Sequence, residues 1–306
     1  TIKTFPGIDS VVLSDEVHAE ILAPDRMRRR RHIRRCILSK NGVRTQSELR
    51  IASRPENTEI AVEGKVIGRA GSVQVLSGAD INEIDDPAFA GAPRYAAGKL
   101  KIINFPAVKI GSVIDWTITT TGKDMPFCFD RCIFGKSPTA RADYTLVYDA
   151  DTHVRFAPAT RSFFESGSRE GHKRIHTWSA RNLPGFRDEK NQPADCFFAD
   201  AVVFSSGNAK QYIEKILAGL NAAADKAGER VEVVARSLQL DNQDHAEEKL
   251  LRIRDWVDHN IRPAGSDLVQ LLPGEFFSPE TTIADGYGNS SDRAILIMAL
   301  CRAAGL

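Results

Sequence analysis

The sequence predicts an α+β protein: an antiparallel β-sandwich over residues 1–206, followed by a helical region over residues 207–306. Three observations carry this. Up to about residue 205, short runs rich in β-branched and aromatic residues alternate with turn formers, and from Gly207 onward apolar residues recur at helical spacing. The chain of 306 residues is 42% hydrophobic with a net charge of +1, enough for two or three cored domains and without a global attraction to nucleic acid.

In chain order, the strand-like runs include 60–64, 100–105, 112–120, 144–149, 153–156 and 173–178. In the third of these Trp116, Ile118 and Thr120 fall on one side and Thr117, Thr119 and Thr121 on the other, the alternation of a half-solvated sheet. Pro106 and Gly111 set a turn that leads into this strand, which is expected to be central. After the Ser205-Ser-Gly207 link, Tyr212, Ile213, Ile216, Leu217 and Leu220 mark a helix, and Val231, Val234, Leu238 and Leu240 mark a second, shorter one. A third spans 245–261, with Ala246, Leu250, Ile253, Val257 and Ile261 on one stripe, Asp244 as N-cap and Pro263 as stop.

The last helix is the most informative. Asp285, Gly286, Gly288 and Asn289 form a tight turn, the run from Ser291 to Ala304 is free of Gly and Pro, and Gly305 caps its end. Ile295 to Leu300 leave no polar face, so other layers should cover the helix on every side. A helix start offers unpaired N–H groups and a positive dipole end, which favour a thiolate, an oxyanion or a bound anion. Ser290 sits at that point.

Gly286-Tyr-Gly-Asn-Ser-Ser-Asp-Arg-Ala294 and Ala299-Leu-Cys-Arg-Ala-Ala-Gly-Leu306 resemble the nucleophile segment of the bacterial transglutaminase-like superfamily, whose core is papain-like. The helix at 245–261 and the loop Phe277-Ser-Pro-Glu-Thr-Thr-Ile-Ala-Asp-Gly286 resemble the family's approach to that segment. Ile103-Asn-Phe-Pro-Ala-Val-Lys-Ile-Gly-Ser-Val-Ile-Asp-Trp116 and Trp178-Ser-Ala-Arg-Asn-Leu-Pro-Gly-Phe-Arg-Asp-Glu189 are similar to a domain of unknown function that commonly precedes such cores. Trp256 and His259 read as a core aromatic and a solvated helix-end histidine.

The resemblance implies a cysteine-type acyl transferase, amidase or protease acting on peptide or glutamine amide bonds, with a peptide or protein substrate. The family's catalytic Cys falls on Ser290, and the loop and helix start around it, Gly288, Asn289 and Ser291, would supply part of an oxyanion hole together with the Ser290 N–H. No cofactor and no metal are implied. A Ser here leaves three readings open: an engineered nucleophile knockout, a natural pseudoenzyme or a serine-using variant. In the family, the His and Asp that activate the nucleophile follow this helix, whereas all seven His here precede it. The chain is therefore expected to be an inactive fragment, trimmed also at its front, whose uncovered core helix could support a dimer. A non-catalytic peptide- or glycan-binding module on a degenerate scaffold is the alternative, and periplasmic or secreted placement is implied by the family alone.

Other features read as structural. Arg26 to Arg35 holds seven Arg in ten residues. With balanced charge and no interleaved aromatics, it is expected to be a solvated edge strand salt-bridged to the acidic 80–86 segment, not a polyanion grip. His172 and His176 lack a third metal ligand, so a surface pair is expected. Cys128 and Cys132 read as buried or loop thiols or a local disulfide, and five Cys at irregular spacing argue against a dense disulfide framework. No stretch approaches the ~20 apolar residues of a membrane span. Phosphate loops and Gly-x-Ser-x-Gly elbows are absent.

Overall fold

The computed structural model describes residues 7–95, 98–157, 162–186, 191–193, 195, 198–239, 245–264 and 276–306. Asp244 as a helix cap, Leu240, Cys196, Glu189 of the closing segment and the first six residues lie outside these. The chain forms two compact units, one of residues 1–84 and 99–207 and the other of residues 85–98 and 208–306. The excursion 85–98 thus groups with the helical region, although it lies within the first region of the sequence.

The first unit comprises β1 (Ser10–Ala23), β2 (Arg26–Ile37), α1 (Lys40–Gln46), β3 (Glu48–Ser53), β4 (Thr58–Ile67), β5 (Val73–Val75), β6 (Ile81–Asp85), β7 (Lys99–Asn104), β8 (Val113–Gly122), β9 (Phe129–Ile133), β10 (Thr139–Asp149), β11 (Arg155–Phe156), β12 (Phe164–Glu170), β13 (Lys173–Leu183) and β14 (Ala201–Ser205). Eight of these pair in the order β12-β13-β10-β1-β2-β8-β4-β5, and two three-stranded sheets run β11-β14-β9 and β3-β7-β6. Pairing in the large sheet is antiparallel except between β1 and β10, which run parallel. Gly111 takes φ +87°, a value open to glycine, just before β8, and β8 lies between β2 and β4.

Two apolar cores hold this sandwich together. One joins Val17, Ala19, Tyr144, Leu146 and Trp178 of the large sheet to Cys132, Val202 and Phe204 of the β11-β14-β9 sheet. The other joins Ile37, Val66 and Ile114 to Ile103 and Leu49 of the β3-β7-β6 sheet.

The arginine run corrects the sequence reading. β2 is an interior strand, paired with β1 and β8 on its two sides. The ion pairs of its arginines run to Glu20, Asp15, Asp130 and Asp115, on β1, β9 and β8, where the sequence reading looks to the 80–86 segment. Strand alternation aims Arg29, Arg31 and Arg35 inward and the even-numbered arginines outward. His172 lies in the turn before β13, not on a strand, while His176 on β13 stacks against Trp178 at 4.5 Å and meets Glu165 at 2.5 Å. Cys128 and Cys132 are buried free thiols, so no local disulfide joins them.

The second unit holds α2 (Ala209–Ala224), α3 (Glu229–Ser237), α4 (Ala246–Asn260), β15 (Arg262–Pro263), α5 (Pro279–Asp285), β16 (Tyr287–Gly288) and α6 (Ser290–Ala303). Helix α6 is central, touching α2, α3, α4 and α5. Leu296, Ala299 and Leu300 share a core with Val231, Ile253, Val257 and Ile261, and Ile295 packs with Ala223 and Ala224. Coverage is not complete, since Ile297 and Met298 are half-buried. The α4 stripe is also narrower than its spacing predicts. Leu250 is 45% exposed, and Lys249 is buried in its place, its ammonium donating to the Ala304 carbonyl at 3.4 Å. Gly305 ends α6 at φ +72°, with Leu306 N–H donating to the Cys301 carbonyl at 2.9 Å and Gly305 N–H to Arg302 at 3.1 Å, a Schellman closure. No helix among the described residues is long and apolar enough to cross a membrane.

Candidate functional site

Local sequence builds the start of α6. Helix α5 stops at Gly286, whose φ of +67° closes the turn, and Tyr287-Gly288 then runs parallel to Arg262-Pro263. A Cβ on Gly288 would lie 3.1 Å from Thr282 Cγ2 and 3.2 Å from Asp292 Cβ, tighter than ordinary side-chain contact, because the loop folds back closely on its own helix. Asn289 is the N-cap, its side-chain oxygen accepting the Asp292 N–H at 2.9 Å. Ser290 is the first helical residue and is exposed, while Gly288, Asn289 and Ser291 around it are buried.

Ser290 opens onto a cleft of about 500 Å³, walled by Arg254, Asp258, Arg293, Ala294 and Ile297. Arg293 pairs with Asp258 at 2.8 Å across it. The open face of α6 is thus partly charged.

Beneath the helix start lies a polar network. Asp292 is wholly buried. Tyr95 donates its hydroxyl to Asp292 at 2.5 Å and accepts the Asn289 N–H at 2.6 Å. Arg94 donates to Asp292 at 3.1 Å, to Asp285 at 2.7 Å and to the Tyr287 carbonyl at 3.1 Å, and the Phe277 N–H donates to Asp292 at 3.2 Å. The Arg94 guanidinium also lies among the rings of Tyr95, Phe277 and Tyr287, with centroids 4.7–5.1 Å away. Arg262 ties Gly91 to the same loop by donating to its carbonyl.

Burial sets the electrostatics. It raises the pKa of Asp292 despite the opposing bonds from Tyr95, Phe277 and Arg94. Burial, with Asp292 beside it, pushes Tyr95 up to about 12, so its phenol stays a donor at neutral pH. Arg94 is held charged because Tyr95, Asp292 and Asp285 outweigh its desolvation.

The residues singled out by sequence, Gly288, Asn289, Ser290 and Ser291, form one contiguous turn. No histidine among the described residues hydrogen-bonds to Ser290. His259 ends α4 exposed, with Nδ1 on the Asp255 carbonyl at 2.7 Å. Among the described residues no group of three or more His, Cys, Asp or Glu is placed to hold a metal. Sequence reasoning missed Arg94, Tyr95 and the burial of Asp292. The one signal was an Arg-Tyr pair standing in a stretch of small residues, Ala90-Gly-Ala-Pro-Arg-Tyr95.

Comparisons with known proteins bear on the fold. A crystal structure of a candidate protease from Parabacteroides distasonis superposes with a TM-score of 0.82 at 16% identity, over 97% of this chain and 59% of that one. The likeness is one of fold, and the chain spans about three-fifths of that relative's length. An M1 zinc metallopeptidase from Deinococcus radiodurans, at TM-score 0.35 and 8% identity, covers 64% of this chain and 42% of its own. A candidate nutrient-binding protein from Legionella pneumophila gives 0.33 at 13% identity, over 95% of this chain and 94% of its own. Scores this low support no inference. No curated protein matches significantly. The model of DUF3857, a domain of unknown function with solved structure, matches residues 23–187, more than half of the sequence. The chain belongs to the DUF3857 family.

Proposed function

We propose that the chain is the front part of a transglutaminase-like, cysteine-type acyl transferase, amidase or protease acting on peptide or glutamine amide bonds, with Ser290 at the nucleophile position. One observation carries the reading: the only exposed side chain of the buried turn 288–292 is that of residue 290, at the first turn of a central helix and on the wall of a cleft. A thiol there would sit at the positive end of the helix dipole, and the peptide N–H groups of the first turn would face a developing oxyanion. Gly288, Asn289 and Ser291 shape that turn. The substrate is a peptide or protein.

In the serine form this mechanism is silent. A hydroxyl needs a general base, and Ser290 hydrogen-bonds to no histidine among the described residues. The serine in place of the thiol favours a second reading, a peptide- or glycan-binding module on a degenerate transglutaminase-like scaffold.

Ser290→Cys in the full-length parent, treated with iodoacetamide, tests the first reading. Labelling at residue 290, above the background of the serine form, supports it. No labelling above that background sinks it. Consecutive strands bearing His and Asp downstream of residue 306 in the parent would favour the enzyme, and their lack the binding module.

A further inference from the structure

The inner layer of the sandwich is split, and the gap is lined with charge. Odd-numbered positions of β2 share one face. Near its two ends Met27 and Ile37 enter the two separate cores, beneath the β11-β14-β9 and β3-β7-β6 sheets respectively. Between them Arg29, Arg31, Ile33 and Arg35, with Trp116 and Phe134, wall a cleft of about 410 Å³.

Four guanidiniums line it, those of Arg29, Arg31, Arg35 and Arg131, together with the Lys136 ammonium, which pairs with Asp195 outside the cleft. Asp130 accepts from Arg29 at 2.8 Å, and Asp15 accepts from Arg31 through two bonds of 2.8 and 2.5 Å. Arg35 has no carboxylate partner among the described residues. One of its terminal N–H groups reaches the Gln46 side chain, and its Nε–H is buried without a partner. Burial lowers the pKa of Arg35, with Asp15 opposing and Arg31 adding to the fall. Such a group destabilises the fold unless an anion satisfies it.

The rest of the lining narrows the ligand. A guanidinium fork matches the planar geometry of a carboxylate, and an excess of cations on the lining calls for an anion. Ile33, Trp116 and Phe134 favour an apolar body over a bare hydrated ion. We infer that this cleft binds an amphipathic anion, an organic carboxylate whose head meets Arg35 and whose apolar chain lies against Ile33, Trp116 and Phe134. The site lies within the first unit and is independent of the chemistry at position 290.

Isothermal titration of the full chain with hexanoate, hexanamide and inorganic phosphate tests it. Hexanoate is expected to bind saturably at one site, with hexanamide and phosphate weaker by about tenfold or more, the worth of one charge-assisted contact. Arg35→Met should weaken hexanoate by a similar factor and melt no lower than the parent, because it replaces an uncompensated cation with an apolar side chain of similar length. If that variant does not fold, Arg35→Lys, which keeps the charge but loses the fork, is expected to show the same loss of affinity. The proposal is overturned if hexanoate does not bind at millimolar concentration, if hexanamide or phosphate binds as tightly, or if the Arg35 variant that folds binds hexanoate unchanged.

Discussion

The Tyr95 hydroxyl donates to Asp292 at 2.5 Å, joining residues 197 positions apart in sequence, and the same oxygen accepts the Asn289 N–H at 2.6 Å. Residues of the 85–98 excursion, which falls inside the DUF3857 match, therefore hold the turn that presents residue 290. Asp292 alone would be a costly burial: a carboxylate out of water is stable only with its lone pairs met. Tyr95, Arg94 and the Phe277 N–H share that task.

Tyr95→Phe removes the hydroxyl's contacts with Asp292, the Asn289 N–H and Arg94 and keeps the ring. It leaves the Asn289 N–H unpaired and takes the shortest bond from Asp292, so the expected loss is about 1–3 kcal/mol in urea unfolding. Hydrogen exchange at the Asn289 amide should quicken more than at amides in the middle of α6. Equal protection of Asn289 in both proteins would exclude Tyr95 as the residue that positions this turn.

The sequence makes α6 legible because its determinants are local. Gly286, Gly288 and Asn289 dictate the turn, the Gly- and Pro-free run dictates the helix, and Gly305 dictates its end, all within 20 residues. Tyr95 is illegible for the opposite reason, since only the tertiary fold brings it to Asp292. The arginines of β2 show the same limit. Alternation assigns Arg29 and Arg31 to one face, but whether that face is wet or dry depends on Asp130, 101 residues away, and on Asp15 across the β1 ladder. An edge strand was the economical reading of so much charge, and buried carboxylates on neighbouring strands made an interior one tolerable. On α4, Leu250 lies on the predicted stripe yet faces outward, because helix α6 packs on a face centred on Ile253 and Val257.

Cys128 and Cys132 give a chemical check on the core of the sandwich. Burial pushes each thiol up to about 11, although Ser206 and the Arg26 carbonyl act against this at Cys128, and Arg31 and Arg29 act against it at Cys132. Only the thiolate is nucleophilic, so both should resist iodoacetamide at pH 8 in the folded chain and react in urea. Peptide mapping by mass spectrometry reads this directly. Alkylation of Cys132 without denaturant would mean that the arginine-lined cleft admits reagent and activates the thiol.

Glu280 supplies a pH-dependent link within the helical unit. From the first turn of α5 it reaches the start of α3, accepting from the N–H groups of Gly228 at 3.0 Å, Arg230 at 3.2 Å and Val231 at 3.0 Å. Desolvation raises its pKa, but these three bonds and Arg230 outweigh it and leave the carboxyl below the usual glutamate range. The unfolded chain then binds this proton more readily than the folded one. The stabilisation is therefore full above the ordinary glutamate value and is lost as the pH falls from there through the lower folded value. Asp292 acts in the opposite sense: its raised pKa means stability declines as the pH rises from the ordinary aspartate value through the folded one. Glu280→Gln should lower stability at neutral pH by about 0.5–2 kcal/mol, the worth of a helix cap. It should also flatten the loss on acidification below the glutamate range, measured as urea midpoints from pH 7 to pH 3. A parallel pair of curves for the two proteins across that range would show that Glu280 carries no differential protonation.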